Sequence, residues 1–299
     1  MKVFVTGATG FIGSAIVKEV MGAGHQVLGL TRSDAGAKSL AAAGAQVHRG
    51  DLEDPGSLRS GAAKSDGVIH TAFIHDFSKF KEVCEVDKLA IEAIGSAIAG
   101  SDRPLIVSTG IGPLNPGHLA TEDMDPPANS LMPRVSEQAA MALRSQGVNA
   151  GVVRLPQVHD PVKQGLVTYL INLAREKRVS AYVGDGRNRW AAAHVLDVAR
   201  LYRLALEKHE AGAKYHAVGE EGVPLRDIAE VIGRGLKIPV VSMSPDDAAA
   251  HFGWLAMFVG LDMPASSKQT QKRLGWHPTR PGLISDLEQM QYFETKPAA

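Results

Sequence analysis

The sequence is poor in the residues that build disulfide frameworks, metal centres and strongly charged surfaces. It has one cysteine, Cys84, among 299 residues, which excludes an internal disulfide and any zinc site made of several cysteines. Its 11 histidines lack the short spacings of metal ligands, so no metal is expected. Basic and acidic residues number 32 each, and this balance argues against a general nucleic-acid binder.

Long apolar runs are also missing. No run of about 18 apolar residues occurs, so no transmembrane helix is expected. The start of the chain, Met1-Lys2-Val3, leads directly into a strand pattern without the features of a signal peptide. We therefore expect a cytoplasmic protein that acts on a small-molecule substrate and contacts neither membranes nor nucleic acid.

Short apolar runs alternate with longer amphipathic segments in the first half of the chain. The predicted strands are Lys2–Thr6, Gln26–Leu30, Ala45–His48, Gly67–Thr71, Pro104–Thr109 and Asn149–Leu155. The predicted helices are Phe11–Ala23, Asp34–Ala43, Asp76–Ala99 and Ser136–Ser145. Continuous apolar runs indicate strands that are buried on both faces. The alternation therefore predicts an α/β protein with a doubly wound parallel sheet, the Rossmann fold.

A glycine-rich turn joins the first strand to the first helix. Its GxxGxxG pattern runs from Gly7 to Gly13 at the start of a βαβ unit. Gly7 permits the tight turn, Gly10 lets the backbone approach a diphosphate, and Gly13 lets the helix pack against the sheet. The alternative is a glycine turn without a ligand. The motif predicts dinucleotide contacts from Gly7, Thr9, Gly10, Phe11, Ile12 and Gly13.

The end of the second strand indicates which dinucleotide binds. An NAD binder usually has an acidic residue there to hold the ribose 2′-hydroxyl. This chain has Thr31, Arg32 and Ser33 instead, and a guanidinium suits a 2′-phosphate. We expect NADP(H), with NAD(H) less favoured. A solvated Arg32 is the alternative, and the nearby Asp34 leaves dual use open.

The composition changes gently after Leu155, where helices rich in charged residues begin. We predict an NADP-binding Rossmann domain over residues 1–156. A smaller substrate-binding subdomain is predicted over residues 157–299, with some segments returning to the main sheet. Later helices are predicted at Leu166–Lys177, Val195–Lys208 and Leu283–Phe293, and later strands at Lys214–Ala217 and Pro239–Met243.

These motifs resemble those of the short-chain dehydrogenase/reductase superfamily, in its extended and atypical branches, over nearly the whole chain. The similar segments are residues 6–13, 51–52, 70–73, 154–158 and 184–199. In the family, the second segment contacts adenine, the third lies beside the nicotinamide ribose and the fourth closes over the nicotinamide. The resemblance implies further cofactor contacts at Asp51, Leu52, Thr71, Ala72, Phe73, Pro156 and Val158.

The chain departs from this family where the family keeps its catalytic residues. The family's Tyr-x-x-Ser-Lys motif corresponds to residues 133–137, where Pro133 replaces the tyrosine and Glu137 replaces the lysine. All five tyrosines lie beyond residue 168. Asp87 occupies the position of a structural asparagine. Both traits resemble an atypical group, some of whose members are described as epimerase-like while others reduce ketones on polyketide-type aromatics.

Five residues are the catalytic candidates. The resemblance implies that Ser108 or Thr109 hydrogen-bonds a substrate carbonyl, unless the backbone satisfies both hydroxyls. His75, beside a carboxylate, is a predicted proton donor or the entrance to a capped helix. Arg134 either stabilises an oxyanion or pairs with Glu137. Asp87 either orders waters or is an ordinary carboxylate on a helix face.

Three residues of the second half are predicted to contact the substrate. His159 begins the substrate region, Arg189 suits a carboxylate or phenolate, and Trp190 offers a flat surface to an aromatic group. The alternatives are a capping histidine, a solvated arginine and a core tryptophan. The apolar segment 251–258 is a pocket wall, a dimer surface or plain core.

We predict an NADP(H)-dependent oxidoreductase, a ketoreductase acting on a bulky or aromatic carbonyl compound without the usual tyrosine and lysine. Hydride chemistry belongs to the cofactor, so losing the general acid slows reduction, typically 10²–10⁴-fold, without abolishing it. The proton then comes from water, the substrate or His75. A nucleotide-sugar epimerase or dehydratase and a non-catalytic NADP sensor are the alternatives. The resemblance also implies a homodimer through helices that include residues 85–99 and 134–146.

Overall fold

The computed structural model describes residues 1–115, 117–127, 133–290 and 293. The strands β1 to β12 are Lys2–Thr6, Gln26–Thr31, Gln46–Arg49, Gly67–His70, Pro104–Gly110, Asn149–Leu155, Gln157–His159, Ser180–Val183, Arg189–His194, Lys214–His216, Glu220–Pro224 and Val240–Met243. The helices α1 to α12 are Phe11–Gly22, Asp34–Ala42, Pro55–Ala63, Phe80–Ile98, Ser136–Ala142, Gly165–Lys177, Val195–Lys208, Leu225–Leu236, Pro245–Phe252, Ala256–Val259, Lys268–Leu274 and Leu283–Glu288. Short 3₁₀ turns cover Phe77–Lys79, Leu143–Gln146 and Gly253–Leu255.

Seven strands form one parallel sheet in the order β10-β6-β5-β4-β1-β2-β3. Helices cover both of its faces, so the predicted doubly wound α/β fold is confirmed. The chain runs outward from β1 in two directions, through β2 on one side and β4 on the other. A crevice opens at such a reversal, outside the carboxyl ends of the strands, and this is where doubly wound sheets bind their ligands.

Two apolar clusters hold the helices against the sheet. On one face, α1 packs against α7, and Ile16 and Tyr202 are fully buried. On the other face, α3, α4 and α5 bury Ile91 and Leu143. Burying one large apolar side chain stabilises the fold by about 1.5–3 kcal/mol. The clusters therefore fix the loops at the carboxyl ends of the strands.

The C-terminal part of the chain builds a third cluster around α6, α8 and α12, beside two small sheets of order β11-β9-β7 and β12-β8. The strand β10 joins the main sheet beside β6, and α7 packs on α1. Segments beyond residue 157 thus contribute to the main sheet and to the helices that cover it. No helix in the described ranges is long and apolar enough to cross a membrane.

Several element boundaries differ from the sequence predictions. The helix α3 was not predicted, because its opening residues, Pro55 and Gly56, are typical of loops; Asp54 caps it by accepting from the Gly56 N–H at 2.9 Å. The predicted helix 76–99 begins at Phe80, after a 3₁₀ turn that Asp76 caps. The last predicted helix ends at Glu288, and residues 291 and 292 lie outside the described ranges.

Candidate functional site

A cleft of about 870 Å³ opens at the carboxyl ends of β1, β2, β4, β5 and β6. The C-terminal region closes its far side through α6, β9 and α10. All of the predicted cofactor-binding residues line this one cleft. They are Gly7, Thr9, Gly10, Phe11, Ile12, Gly13, Thr31, Arg32, Ser33, Asp51, Leu52, Thr71, Ala72, Phe73, Pro156 and Val158.

The glycine turn after β1 has no room for side chains at two positions. Gly7 has a positive φ of 67°, and a Cβ there would lie 2.8 Å from the backbone nitrogen of Ala72. A Cβ on Gly13 would lie 2.0 Å from the carbonyl oxygen of Gly7. The N-cap of α1 is Gly10, which offers no side-chain acceptor. The first residues of α1, Phe11, Ile12 and Gly13, line the cleft, and uncapped N–H groups at a helix N-terminus suit a diphosphate.

The end of β2 carries a cation where an NAD binder has a carboxylate. The guanidinium of Arg32 is 76% exposed and lies 3.6 Å from Asp51. Asp34 pairs with Arg49 and is not among the residues that line the cleft. Ser33 lines the cleft, but its hydroxyl accepts from the Gly36 N–H at 3.0 Å as the cap of α2. Arg32 is therefore the side chain best placed to meet a 2′-phosphate.

Three of the predicted catalytic residues line the opposite end of the cleft: Thr109, His75 and Arg134. The Arg134 guanidinium lies 4.2 Å above the Phe73 ring. Its Nε donates to Ser136 Oγ at 3.0 Å, and its Nη2 donates to the Ser108 carbonyl oxygen at 3.3 Å. The guanidinium therefore lies beside the end of β5, where Thr109 follows Ser108.

Arg134 does not pair with Glu137, which was the alternative reading of this arginine. Glu137 instead binds Arg154 with both carboxylate oxygens, at 2.8 Å and 2.6 Å. Both side chains are buried, and the same arginine donates to the carbonyl oxygen of Met124 at 2.7 Å. The position that carries lysine in the family thus holds a buried ion pair at the cleft wall. The charge of Arg134 stays available to a ligand.

His75 lies at the cleft mouth between two phenylalanines, with ring centroids 5.5 Å from Phe73 and 6.1 Å from Phe77. Although His75 is exposed at the cleft mouth, its pKa lies below the ordinary value because partial desolvation of the ring disfavours its charged form and because Arg134 and Lys163 add positive charge. The imidazole is therefore mainly neutral at pH 7. A proton donor of this kind works best in acid.

The structure removes Ser108 from the cleft. Its hydroxyl donates to the His70 carbonyl oxygen at 2.7 Å and lies 2.6 Å from the buried Tyr202 hydroxyl. Successive side chains of a strand point to opposite faces, so Ser108 and Thr109 cannot both face the cleft. Burial raises the pKa of Tyr202, which keeps this phenol protonated inside the core. Ser108 is therefore not placed to bind a carbonyl substrate.

Asp87 is also withdrawn from the cleft. It is 1% exposed and binds His70 Nε2 at 3.1 Å and Ser136 Oγ at 2.5 Å. Burial opposes its ionisation, but its hydrogen bonds with His70 and Ser136 and the nearby charge of Arg134 lower its pKa overall. The ionised Asp87 joins α4 to the start of α5. It therefore positions Arg134 through Ser136 and lies outside the set of residues that line the cleft.

Two of the three predicted substrate contacts lie elsewhere. His159 is completely buried, and its Nδ1 lies 2.6 Å from Asp286 Oδ2. Burial and the nearby His194 lower the pKa of His159 to about 3. Arg189 pairs with Asp262 at 2.8 Å and holds the segment before Met263. Neither His159 nor Arg189 lines the cleft. The alternation of side chains along a strand predicts which face each residue lies on. It does not predict which end of a short strand, such as the ones that carry His159 and Arg189, lies at a ligand site.

Trp190 does line the cleft, within a wall of apolar side chains that was largely missed in the sequence. Trp190 is 2% exposed, and its Nε1 has no hydrogen-bond partner in the described structure. Phe77 stacks on Trp254 with ring centroids 4.3 Å apart and planes 6° apart. The spacing of the phenylalanines 73, 77 and 80 was the available signal. The remaining large apolar side chains of this wall are Phe80, Leu114, Leu166, Tyr169, Phe258, Leu261 and Met263.

The segment 251–258 was predicted to be a pocket wall, a dimer surface or plain core, and its residues contribute to both the pocket wall and the core. Phe258 forms part of the pocket wall, and Trp254 supports Phe77 from behind. Phe252 and Leu255 are buried in the third apolar cluster. Two polar cleft residues, Gln138 and Lys163, were not predicted at all. No group of three or more potential metal ligands occurs in the part of the chain that the structure describes.

Comparison with known proteins identifies the family. The model of the NAD dependent epimerase/dehydratase family matches residues 3–84 and 130–219. The chain therefore belongs to this family, within the extended and atypical short-chain dehydrogenases/reductases. An uncharacterized protein of Schizosaccharomyces pombe is 48% identical over 98% of this chain and 100% of its own length.

Two further matches have named activities. The 4-hydroxy-2-methyl-3-oxo-4-farnesyl-3,4-dihydroquinoline-1-oxide ketoreductase of Stigmatella aurantiaca is 26% identical over 89% of this chain and 84% of its own. A crystal structure of dTDP-glucose 4,6-dehydratase from Streptomyces venezuelae, with NAD bound, has a TM-score of 0.78. That match covers 98% of this chain and 96% of the other at 18% identity, and it shows a shared fold.

Proposed function

We propose that the protein is an NADPH-dependent ketoreductase that acts on a bulky, largely apolar or aromatic ketone. The observation that carries this proposal is the composition of the cleft beyond the glycine turn. Its walls are mainly aromatic and aliphatic side chains. The polar side chains among them include Thr109, His75, Arg134, Glu137, Gln138, Gln157, Lys163 and Thr168, of which Glu137 is paired with Arg154. A largely apolar pocket with polar groups at a limited number of positions favours orientation of one carbonyl over recognition of a sugar.

The choice of NADPH rests on Arg32. A guanidinium binds a phosphate through several donors in a fixed plane, and its attraction to the doubly charged 2′-phosphate exceeds any contact with a 2′-hydroxyl. Asp34, the acidic residue that follows β2 in the sequence, pairs with Arg49 and does not line the cleft, so it does not hold that hydroxyl. Asp51, 3.6 Å from Arg32, fixes the guanidinium at the cleft edge.

The chain supplies orientation and charge to the reaction. NADPH, when bound, supplies the hydride. Thr109, at the end of β5, donates a hydrogen bond to the substrate carbonyl oxygen. Arg134 places positive charge at the same oxygen as it becomes an alkoxide, which is the charge that a reductase must stabilise. The alkoxide then takes a proton from water or from the imidazolium of His75, since Pro133 has no proton to give.

The Stigmatella aurantiaca ketoreductase supports this substrate class, because its name describes a ketone on a bicyclic aromatic bearing a farnesyl chain. A nucleotide-sugar epimerase or dehydratase is less well supported. Its substrate carries a diphosphate and several hydroxyls, which need many polar partners, and the wall around Phe77, Trp190 and Phe258 offers few.

The test is NADPH consumption by the purified protein with two substrate panels, one of bicyclic aromatic ketones and one of nucleotide sugars. We expect NADPH oxidation with members of the first panel and none with the second. The Thr109→Ala variant should reduce turnover on the same ketone. Conversion of a nucleotide sugar without net NADPH consumption would contradict the proposal and favour an epimerase.

A non-catalytic NADP-binding protein is the second candidate. The observation in its favour is the pair of replacements at the family's catalytic positions, Pro133 and Glu137, the second of which is tied to Arg154. Such a protein binds NADPH and NADP⁺ tightly and consumes neither with any ketone. Turnover that depends on Arg134 would exclude it.

A further inference from the structure

A lysine in the C-terminal half faces the glycine turn across the cleft. Lys163 lies between β7 and α6, is exposed, and lines the cleft. Among the described residues its ammonium forms no ion pair or hydrogen bond; it lies over the Phe11 ring, and its charge helps to lower the pKa of His75. A cation held in a cleft without an anion suggests that the anion belongs to a ligand.

The backbone that carries Lys163 is fixed by a tight turn. The Asp160 carboxylate accepts from the N–H groups of Val162 at 2.8 Å and Lys163 at 2.6 Å. The buried Gln164 donates from its Nε2 to the Asp160 carbonyl oxygen at 2.6 Å. Both N–H groups donate to Oδ1 of Asp160, which is the one carboxylate in the sequence from Asp160 to Gln164. The backbone position of Lys163 is therefore fixed, and its ammonium has no ion-pair partner among the described residues.

The ammonium lies near the side chain of the first residue of α1. Lys163 Nζ is 5.7 Å from the centroid of the Phe11 ring, and Phe11 is the first residue of α1. The N-terminus of a helix carries roughly half a positive charge, and here no side chain caps it. An ammonium and a helix N-terminus repel each other unless an anion lies between them. The dinucleotide's diphosphate is the anion that the glycine turn is shaped to hold.

We propose that Lys163 binds the diphosphate of the dinucleotide from the side opposite the glycine turn. The inference rests on the proposed function, because it requires that a dinucleotide occupies this cleft. It adds a contact from the C-terminal half, so the cofactor is clasped between the main sheet and the substrate-binding side. An ammonium–phosphate pair is a charge-assisted contact, which is among the stronger hydrogen bonds in proteins.

Calorimetric titrations of the full-length protein test this with two probes. NADPH carries the diphosphate, whereas adenosine 2′-phosphate carries the adenine and the 2′-phosphate without it. We expect Lys163→Ala to weaken NADPH binding about tenfold, the low end for a hydrogen bond to a charged group at an exposed site. Adenosine 2′-phosphate should bind this variant as it binds the wild type.

The matched control is Lys18→Ala, which removes an exposed lysine of α1 that does not line the cleft. It should leave both affinities unchanged. Equal losses for both probes in Lys163→Ala, or no loss for either, would overturn the inference while NADPH binding by the wild type upholds the proposed cofactor. A higher KM for the ketone with unchanged NADPH affinity would also overturn it and assign Lys163 to the substrate. A wild type that binds no dinucleotide would overturn both proposals.

Discussion

The two ends of the cleft are built in different ways. At the phosphate end, one short segment, Gly7–Gly13, makes both the turn and the helix N-terminus, and its shape follows from backbone geometry alone. At the substrate end, Phe73, Arg134, Trp190 and Phe258 come from distant parts of the chain. A substitution in the glycine turn therefore disturbs the whole local structure that holds the phosphates. A substitution at the substrate end removes one side-chain contact and leaves the others in place.

The largest effect is expected at the phosphate end, for Gly13→Ala. The added Cβ would lie 2.0 Å from the Gly7 carbonyl oxygen, so the turn or the helix must move. We expect NADPH affinity to fall at least 100-fold, a loss of about 3 kcal/mol of binding free energy. Calorimetry measures the affinity, and thermal unfolding reports any loss of fold.

Gly22→Ala is the control, because a Cβ at Gly22, in the same helix, meets nothing within 4 Å. It should bind NADPH as the wild type does. Normal NADPH binding by Gly13→Ala would show that the glycine turn does not hold the cofactor.

A smaller but still large effect is expected at the substrate end, for Arg134→Ala. Removing one group that stabilises an oxyanion typically costs about 10²–10³ in kcat. We expect a loss of about 10² in kcat on a ketone that the wild type reduces, with unchanged NADPH affinity. Steady-state kinetics and calorimetry separate the two quantities.

Arg134→Lys keeps the charge without the planar guanidinium, and it should recover part of the activity. A fall in NADPH affinity together with kcat would place Arg134 on the cofactor instead of the substrate oxygen. That result would contradict the assignment of Arg134 to the substrate end of the cleft.

The pH profile tests whether His75 supplies the proton. Burial, Arg134 and Lys163 lower the pKa of His75 below 6.5, so its acidic form prevails only below that lowered pKa. If the imidazolium is the donor, kcat is highest in acid and falls about tenfold per pH unit above that pKa. His75→Phe should lower the acid-side rate and flatten the profile. A flat profile in the wild type would assign the proton to water or the substrate.

The smallest effect is expected for the aromatic wall. Phe77→Ala removes one face of the stack with Trp254 and one part of the substrate surface. Losing a single aromatic contact of about 0.5–1.5 kcal/mol raises KM roughly two- to tenfold and leaves kcat unchanged. Leu89→Ala, at a side chain 48% exposed on α4, is the control. An unchanged KM in Phe77→Ala would remove this wall from substrate recognition.

The same contrast explains what the sequence could predict. The strands and the glycine turn follow from local patterns, because a parallel sheet buries continuous apolar runs and a phosphate turn needs glycine at fixed spacing. The choice between Ser108 and Thr109 depends on which side chain of β5 faces the cleft. The local sequence around these two residues does not predict that orientation. His159 is withdrawn by Asp286, 127 residues away, a pairing that only the tertiary fold creates.

The partner of Glu137 was likewise hidden, since Arg154 is brought to it by the pairing of β5 with β6 and the packing of α5. Lys163, Phe77 and Phe258 lie in segments without a readable motif. The domain boundary at residues 156 and 157, the homodimer through residues 85–99 and 134–146, and the cytoplasmic location stay predictions.

The most direct test of the account is a calorimetric titration of the ligand-free protein with NADPH and NADH, repeated with Arg32→Ala. The account predicts that the wild type prefers NADPH by at least tenfold. It also predicts that Arg32→Ala loses this preference while keeping its affinity for NADH, because the proposed contact of the guanidinium is with the 2′-phosphate, which NADH lacks. Equal affinities of the wild type for the two dinucleotides, or equal losses of both in Arg32→Ala, would contradict it.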